Sequence, residues 1–142
     1  MTCKSMFRPL TRLAGATLAL TLVAAPEVLA ACSDPAGLEV DWHDCDLKQA
    51  DLSYKILSGA NLLAADLSGA NLEGVVLIRA DLTDANLSGA DLTYADLRDA
   101  VLNGTNLSDA NLTDAELAGA NLSGATWTDG KTCAEGSVDE CK

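Results

Sequence analysis

Leucine recurs at every fifth residue from Leu47 to Leu122, through Leu52, Leu57, Leu62 and Leu67 and onward without a gap. On an α-helix, residues five apart step round the axis by about 140°, so these leucines would smear over the whole circumference and form no buried stripe. On a continuous strand, an odd period sends successive leucines to opposite faces. The remaining solution is a chain that bends once per repeat and turns every leucine toward one interior. Such uniformity describes a scaffold, and it leaves the job of the scaffold unstated.

Taking leucine as position i, each unit runs from i−2 to i+2. Alanine fills i−2 at Ala50, Ala60, Ala65, Ala70, Ala80, Ala85, Ala90, Ala95, Ala100, Ala110, Ala115 and Ala120. In extended backbone i−2 and i share a side, so a small and a large residue enter the core together while i−1 faces out. That outward position is Asp or Asn at Asp51, Asn61, Asp66, Asn71, Asp81, Asn86, Asp91, Asp96, Asn106, Asn111 and Asn121. Ser, Thr, Gly and Asp dominate i+1 and i+2, as in Ser68-Gly69 and Thr83-Asp84, which is the chemistry of corners.

Tandem units of the form A(D/N)LxG resemble the pentapeptide repeat family. The match runs from Cys45 to Gly124, with degenerate units at Val40–Asp44 and Ala125–Asp129. The resemblance implies an all-β fold, a right-handed quadrilateral parallel β-helix with coils spaced at about 4.8 Å. The number of sides comes from the family, since the period alone admits other polygons. The expected organisation is a secretory signal peptide at 1–30, a disulfide-linked N-terminal cap at 31–44, the solenoid at 45–124 and a C-terminal cap with a disulfide loop at 125–142.

The signal reading rests on Lys4, Arg8 and Arg12, an apolar run from Leu13 to Ala25, and a Val28-x-Ala30 cleavage site after Pro26. The run is too short to span a bilayer stably. Cleavage would remove three positive charges and Glu27, taking the formal net charge from −12 to −14. So acidic a chain repels phosphates, which argues against nucleic acid or anionic lipid as partner. Cys32, Cys45, Cys133 and Cys141 bracket the repeats in two local pairs, and an even number in an oxidising compartment suggests disulfides Cys32–Cys45 and Cys133–Cys141. Leu29-Ala30-Ala31-Cys32 also fits a lipoprotein box, which would lipidate Cys32, anchor the rod to an envelope membrane and strand Cys45. The expected location is the bacterial periplasm or the exterior.

Open solenoid ends expose core leucines and strand edges. Trp42 and Trp127 occupy i positions just outside the leucine run at the two ends, and are read as plugs. An end-to-end homodimer is an alternative use of such ends. With twenty-residue coils, the side carrying Leu57, Leu77, Leu97 and Leu117 is irregular: its outward residues include Ile56 and Val76, Ile78 follows at a corner, and Arg79 and Arg98 lie alongside. These five form a candidate partner-binding patch, set against simple drift on a tolerant surface. Lys55 replaces the inward alanine on that side and should snorkel outward.

Stacked Asp and Asn could bind Ca²⁺, but a solvated polar ladder accounts for them without metal. His43 is the single histidine, and no second His or close Cys pair completes a zinc site. Serines abound at corners without a base other than carboxylates. The chain is therefore read as a non-enzyme with no catalytic, cofactor-binding or metal residues, no cofactor, and an unidentified protein partner. The family resemblance also implies a second role, the acidic DNA mimic that binds a topoisomerase; export, shortness and the lack of Phe at i weigh against it.

Overall fold

The computed structural model describes residues 32–142 and, ahead of them, the two-residue strand β1 (Thr2–Cys3). Apart from β1, the signal segment at 1–30 lies outside the described residues. Strand β2 (Cys45–Asp46) pairs antiparallel with β1 in the register Thr2↔Asp46 and Cys3↔Cys45.

From Asp41 onward, parallel bridges join residues twenty apart, beginning with Asp41↔Asn61, Asp46↔Asp66, Asp51↔Asn71 and Ile56↔Val76. One coil is therefore twenty residues long and has four sides. Side one carries the outward residues 41, 61, 81, 101 and 121; side two 46, 66, 86, 106 and 126; side three 51, 71, 91 and 111; side four 56, 76, 96 and 116. Bonding between coils repeats on every side. Thus Leu67 N–H donates to the Asn86 carbonyl at 2.8 Å, and Asn86 N–H donates to the Ala65 carbonyl at 2.9 Å.

The corners explain the polar residues. Ala70 N–H donates to the Leu67 carbonyl at 3.0 Å, closing a four-residue turn. Its third residue, Gly69, has φ 66°, the positive value that a type II turn demands. Just before the turn, Asp66 Oδ1 accepts from both the Ser68 backbone N–H, at 3.2 Å, and the Ser68 hydroxyl, at 2.8 Å. The Asp and Asn at i−1 consequently do more than face water, because each holds its own corner.

Inside, the leucines from Leu57 to Leu107 are no more than 1% exposed, and alanine packs beside them. Burying one such leucine contributes roughly 1.5–3 kcal/mol. Thr105 replaces an inward alanine, and its hydroxyl donates to the Leu82 carbonyl at 2.7 Å, so the buried oxygen is satisfied.

Two disulfides are formed, Cys32–Cys45 near the first coil and Cys133–Cys141 in the tail. Trp42 is 2% exposed, whereas Trp127 is half-buried. Beyond Trp127 the chain reverses. It runs back antiparallel over side two, by Thr126↔Thr132, and then over side one, by Asn121↔Val138.

Candidate protein-docking face

Side four departs furthest from the polar rule, with two apolar residues in its outward column where side one has one, Val101. Ile56 stands in the outward column, 57% exposed, and bridges to Val76, which bridges in turn to Asp96. At the corner between sides four and one, Ile78 and Arg79 join Leu38, Glu39, Ser58 and Gly59 around a shallow cleft of about 210 Å³. That volume is below what encloses a small molecule, so the cleft suits a side chain of a larger partner. Lys55, at the opposite corner, is exposed.

Of the six large hydrophobic side chains exposed among the described residues, four flank this side: Leu38, Tyr54, Ile56 and Tyr94. The other two are Leu63, at the next corner, and Val138, in the tail. Tyr54 and Tyr94 share one corner, two coils apart. Gly74 lies between them, and a Cβ there would sit 2.6 Å from Tyr54 Cε1, so the Tyr54 ring occupies the space that glycine leaves open. The Tyr54 hydroxyl donates to Glu73, a bond that is the main cause of its raised phenol pKa.

Backbone conformation at these corners follows the rule of the whole coil. Tyr54, Arg79 and Tyr94 have φ of 56°, 58° and 59°, in the left-handed region where most repeats place Gly or Asp. For a bulky L-residue that region costs about 1–2 kcal/mol. Gln49 and Ala64 adopt the same conformation at other corners, so the strain belongs to the coil and not to this face.

The two arginines behave differently. Arg79 has no ion pair among the described residues, whereas Arg98 is tied to Asp96 at 2.6 Å and to Glu116 at 3.4 Å. The Arg98 hydrogen bond holds the Asp96 carboxyl below its ordinary pKa. Ile56, Val76, Ile78 and Arg79 thus fall on one continuous face, while Arg98 lies on that side with its charge already neutralised. Sequence reading missed Leu38, Tyr54 and Tyr94. A forty-residue separation, two whole coils, was the signal that sets the tyrosines in register.

Elsewhere the surface is an amide–carboxylate ladder. Asn61 Nδ2 donates to Asp41 Oδ1 at 2.9 Å, Asn71 Nδ2 to Asp51 Oδ1 at 3.3 Å, and Asn86 Nδ2 to Asp66 Oδ1 at 3.2 Å. Asn between Asp residues spares side three direct carboxylate stacking, whereas on side two Asp46 and Asp66 are neighbours and Lys48 Nζ lies 3.3 Å from Asp66 Oδ2. Among the described residues no cluster of three or more His, Cys, Asp or Glu is arranged to hold a metal ion. His43 Nδ1 lies 2.7 Å from Asp41 Oδ1, at the edge of the first coil.

Comparison with known proteins agrees with this geometry. The family model for pentapeptide repeats matches in 8 copies, at residues 43–77, 56–93 and 90–126. No curated protein matches the chain. Among solved structures, the pentapeptide repeat protein Rfr23 from the cyanobacterium Cyanothece 51142 is 36% identical with a TM-score of 0.63, over 63% of this chain and 62% of that one. A pentapeptide repeat protein from the thylakoid lumen of Arabidopsis thaliana is also 36% identical, with a TM-score of 0.55 over 63% of this chain and 70% of the other. HetL from Nostoc sp. strain PCC 7120, a pentapeptide repeat protein involved in heterocyst differentiation regulation, is 39% identical over 67% of this chain and 48% of its own, with a TM-score of 0.39. The matched region thus spans less than two thirds of Rfr23. The fold is the right-handed quadrilateral β-helix of Rfr23 and the Arabidopsis protein, and the chain belongs to the pentapeptide repeat family.

Proposed function

We propose that this chain is a non-catalytic scaffold that works outside the cytoplasm, in the periplasm or secreted, and docks a protein partner on side four. The observation that carries the reading is the gathering of Leu38, Tyr54, Ile56 and Tyr94 around one side of a mostly polar rod, with Arg79, which has no ion pair among the described residues, beside them. Aromatic and arginine side chains on an apolar patch are what protein interfaces favour. A partner with an apolar ridge and a carboxylate facing Arg79 would fit.

Export is supported by the apolar leader with its small-residue cleavage site and by two disulfides, which persist in oxidising compartments. A lumenal address is recorded for the Arabidopsis relative. The bond between Cys32 and Cys45 favours the soluble form over the lipoprotein, because lipidation needs the Cys32 sulfur. The DNA-mimic alternative has only the sign of the charge in its favour, and Lys55 and Arg79 interrupt that charge on side four.

The test compares wild type with the triple variant Ile56→Asp, Ile78→Asp, Arg79→Glu in chemical cross-linking within the native envelope. A control variant, Ser88→Lys, alters the corner between sides two and three, away from that face. Loss of a specific cross-linked protein in the triple variant alone is expected, with the melting temperature little changed. Equal recovery of that protein by all three would sink the docking face. Fractionation and the intact mass of the exported protein decide location and lipidation.

A further inference from the structure

At the corner between sides four and one, two columns of side chains run along the rod. One carries Leu38, Ser58 and Ile78, the other Glu39, Gly59 and Arg79, each residue one coil beyond the last. Backbone bonds fix that register. Glu39 N–H donates to the Ser58 carbonyl at 2.9 Å, and Gly59 N–H donates to the Ile78 carbonyl at 2.9 Å. The middle coil therefore contributes its two small residues, Ser58 and Gly59, between larger ones on either side. That difference in size makes the cleft a slot.

The walls of the slot differ in chemistry. Leu38 and Ile78 bound it along the rod, two coil steps of about 4.8 Å apart. On the flank toward side four, the outward residues are Ile56 and Val76. Glu39 and Arg79 line the slot beside the apolar pair. A Cβ on Gly59 would sit 3.2 Å from Glu39 Cγ, so the stem of Glu39 lies across that glycine, at the edge of the slot. Neither Glu39 nor Arg79 has an ion pair among the described residues. A ligand that matches all the walls needs an aliphatic group, an anion for Arg79 and a hydrogen-bond donor for Glu39.

We propose that the slot seats the C-terminal residue of a protein partner, one with an aliphatic side chain. That side chain enters over Ser58 between Leu38 and Ile78, the terminal carboxylate meets the Arg79 guanidinium, and the residue's own amide N–H donates to the Glu39 carboxylate. The inference rests on the docking reading of side four and supplies the chemistry of what docks there.

Size and charge both select a chain end. A cleft of about 210 Å³ has room for one residue, and a terminal residue carries all three groups by itself. An internal acidic side chain would need a second residue to supply the aliphatic part. A cation could settle almost anywhere on a rod of formal net charge −12, whereas a carboxylate is repelled by most of it. Arg79 makes this corner an exception, and a guanidinium matches a planar carboxylate with two parallel hydrogen bonds. Capture of a chain end is a recurring mode of peptide recognition.

The test titrates three short peptides into the disulfide-bonded protein while its backbone amide resonances are followed. Two share an uncharged sequence ending in leucine, one with a free carboxylate and one amidated, and the third ends in glycine with a free carboxylate. The free leucine peptide should shift the Gly59, Ile78 and Arg79 amides saturably. Amidation, or glycine in place of leucine, should each weaken binding about tenfold or more. Ser58→Ile fills the slot yet keeps the face apolar, so it should abolish these shifts; Arg79→Gln should make the two leucine peptides bind alike. The coil already carries Ile78 and Gln49 at the equivalent positions of a unit, so both variants suit the fold.

The absence of saturable shifts with the leucine peptide overturns the proposal. So does equal binding of its amidated form, or undiminished binding by Ser58→Ile. Any of these results, joined to loss of the envelope cross-link in the triple variant, sinks the slot and leaves the docking face standing. Peptide binding as described, with the cross-link intact in that variant, sinks the docking face and leaves the slot. The comparison of the three peptides on the unaltered protein decides the matter even if a variant misfolds.

Discussion

Both ends of the rod carry a tryptophan at an inward position and a nearby disulfide, yet only one of them is closed. At the N-terminal end Trp42 is 2% exposed and the first leucines, Leu47 and Leu52, are 1% and 3% exposed. At the C-terminal end Trp127, Leu112 and Leu117 are all partly open. The difference comes from the path of the chain. After Trp127 it doubles back and spans two sides, and the Cys133–Cys141 bond then holds that short tail in place. Identical cap chemistry therefore gives unequal coverage, and half of that end stays partly open.

The largest expected effect separates the two tryptophans. Trp42→Ala removes a wholly buried indole and should lower stability by about 3–5 kcal/mol, whereas Trp127→Ala, half in water, should lose less than half of that. Thermal melts of the two variants at low protein concentration measure this. Equal losses would break the contrast between the ends.

Next come the disulfides. Replacing Cys32 and Cys45 with Ser opens a loop of separation 13 and should lower stability by about 3 kcal/mol. Replacing Cys133 and Cys141 opens one of separation 8, and loop entropy predicts a loss a few tenths of a kcal/mol smaller. The second change should nevertheless free the tail, raising amide exchange at Leu122 and Gly124 while leaving Leu57 untouched.

The smallest effect is set by pH. At the turn into the tail, Asp129 lies 2.6 Å from Lys131 Nζ, and that hydrogen bond is the main cause of its lowered pKa. A carboxylate depressed on folding contributes stability that is complete above its unfolded value of about 3.9 and is lost as pH falls through the lower folded value. Acid should therefore loosen the tail turn in that window. Trp127 fluorescence in a Trp42→Phe background should report it, and Asp129→Asn should flatten that part of the curve.

Much of the rod was readable from residue order, because each five-residue unit has the same duties. Leu67 had to point inward and Ala65 had to be small beside it. The polar Asp66 was read as a solvated column, but its part in fixing the Ser68 corner is a matter of local geometry that the pattern does not express. Ile56, Val76, Ile78 and Arg79 stood out as departures from the repeat. Tyr54 and Tyr94 did not, since they occupy an ordinary corner position and acquire meaning only when two coils of chain are wound into register. Likewise Arg98 looked like a free charge until Asp96 was placed beside it.

The sequence by itself determined that this protein is a tube of stacked turns, since a five-residue period of leucine with alanine two places earlier can bury its apolar groups in no other regular backbone. Tertiary structure decided which surface residues become neighbours and which end stays open. Those outcomes depend on contacts between residues twenty or forty apart and on the direction in which the tail reverses, and no local preference of the chain encodes either one.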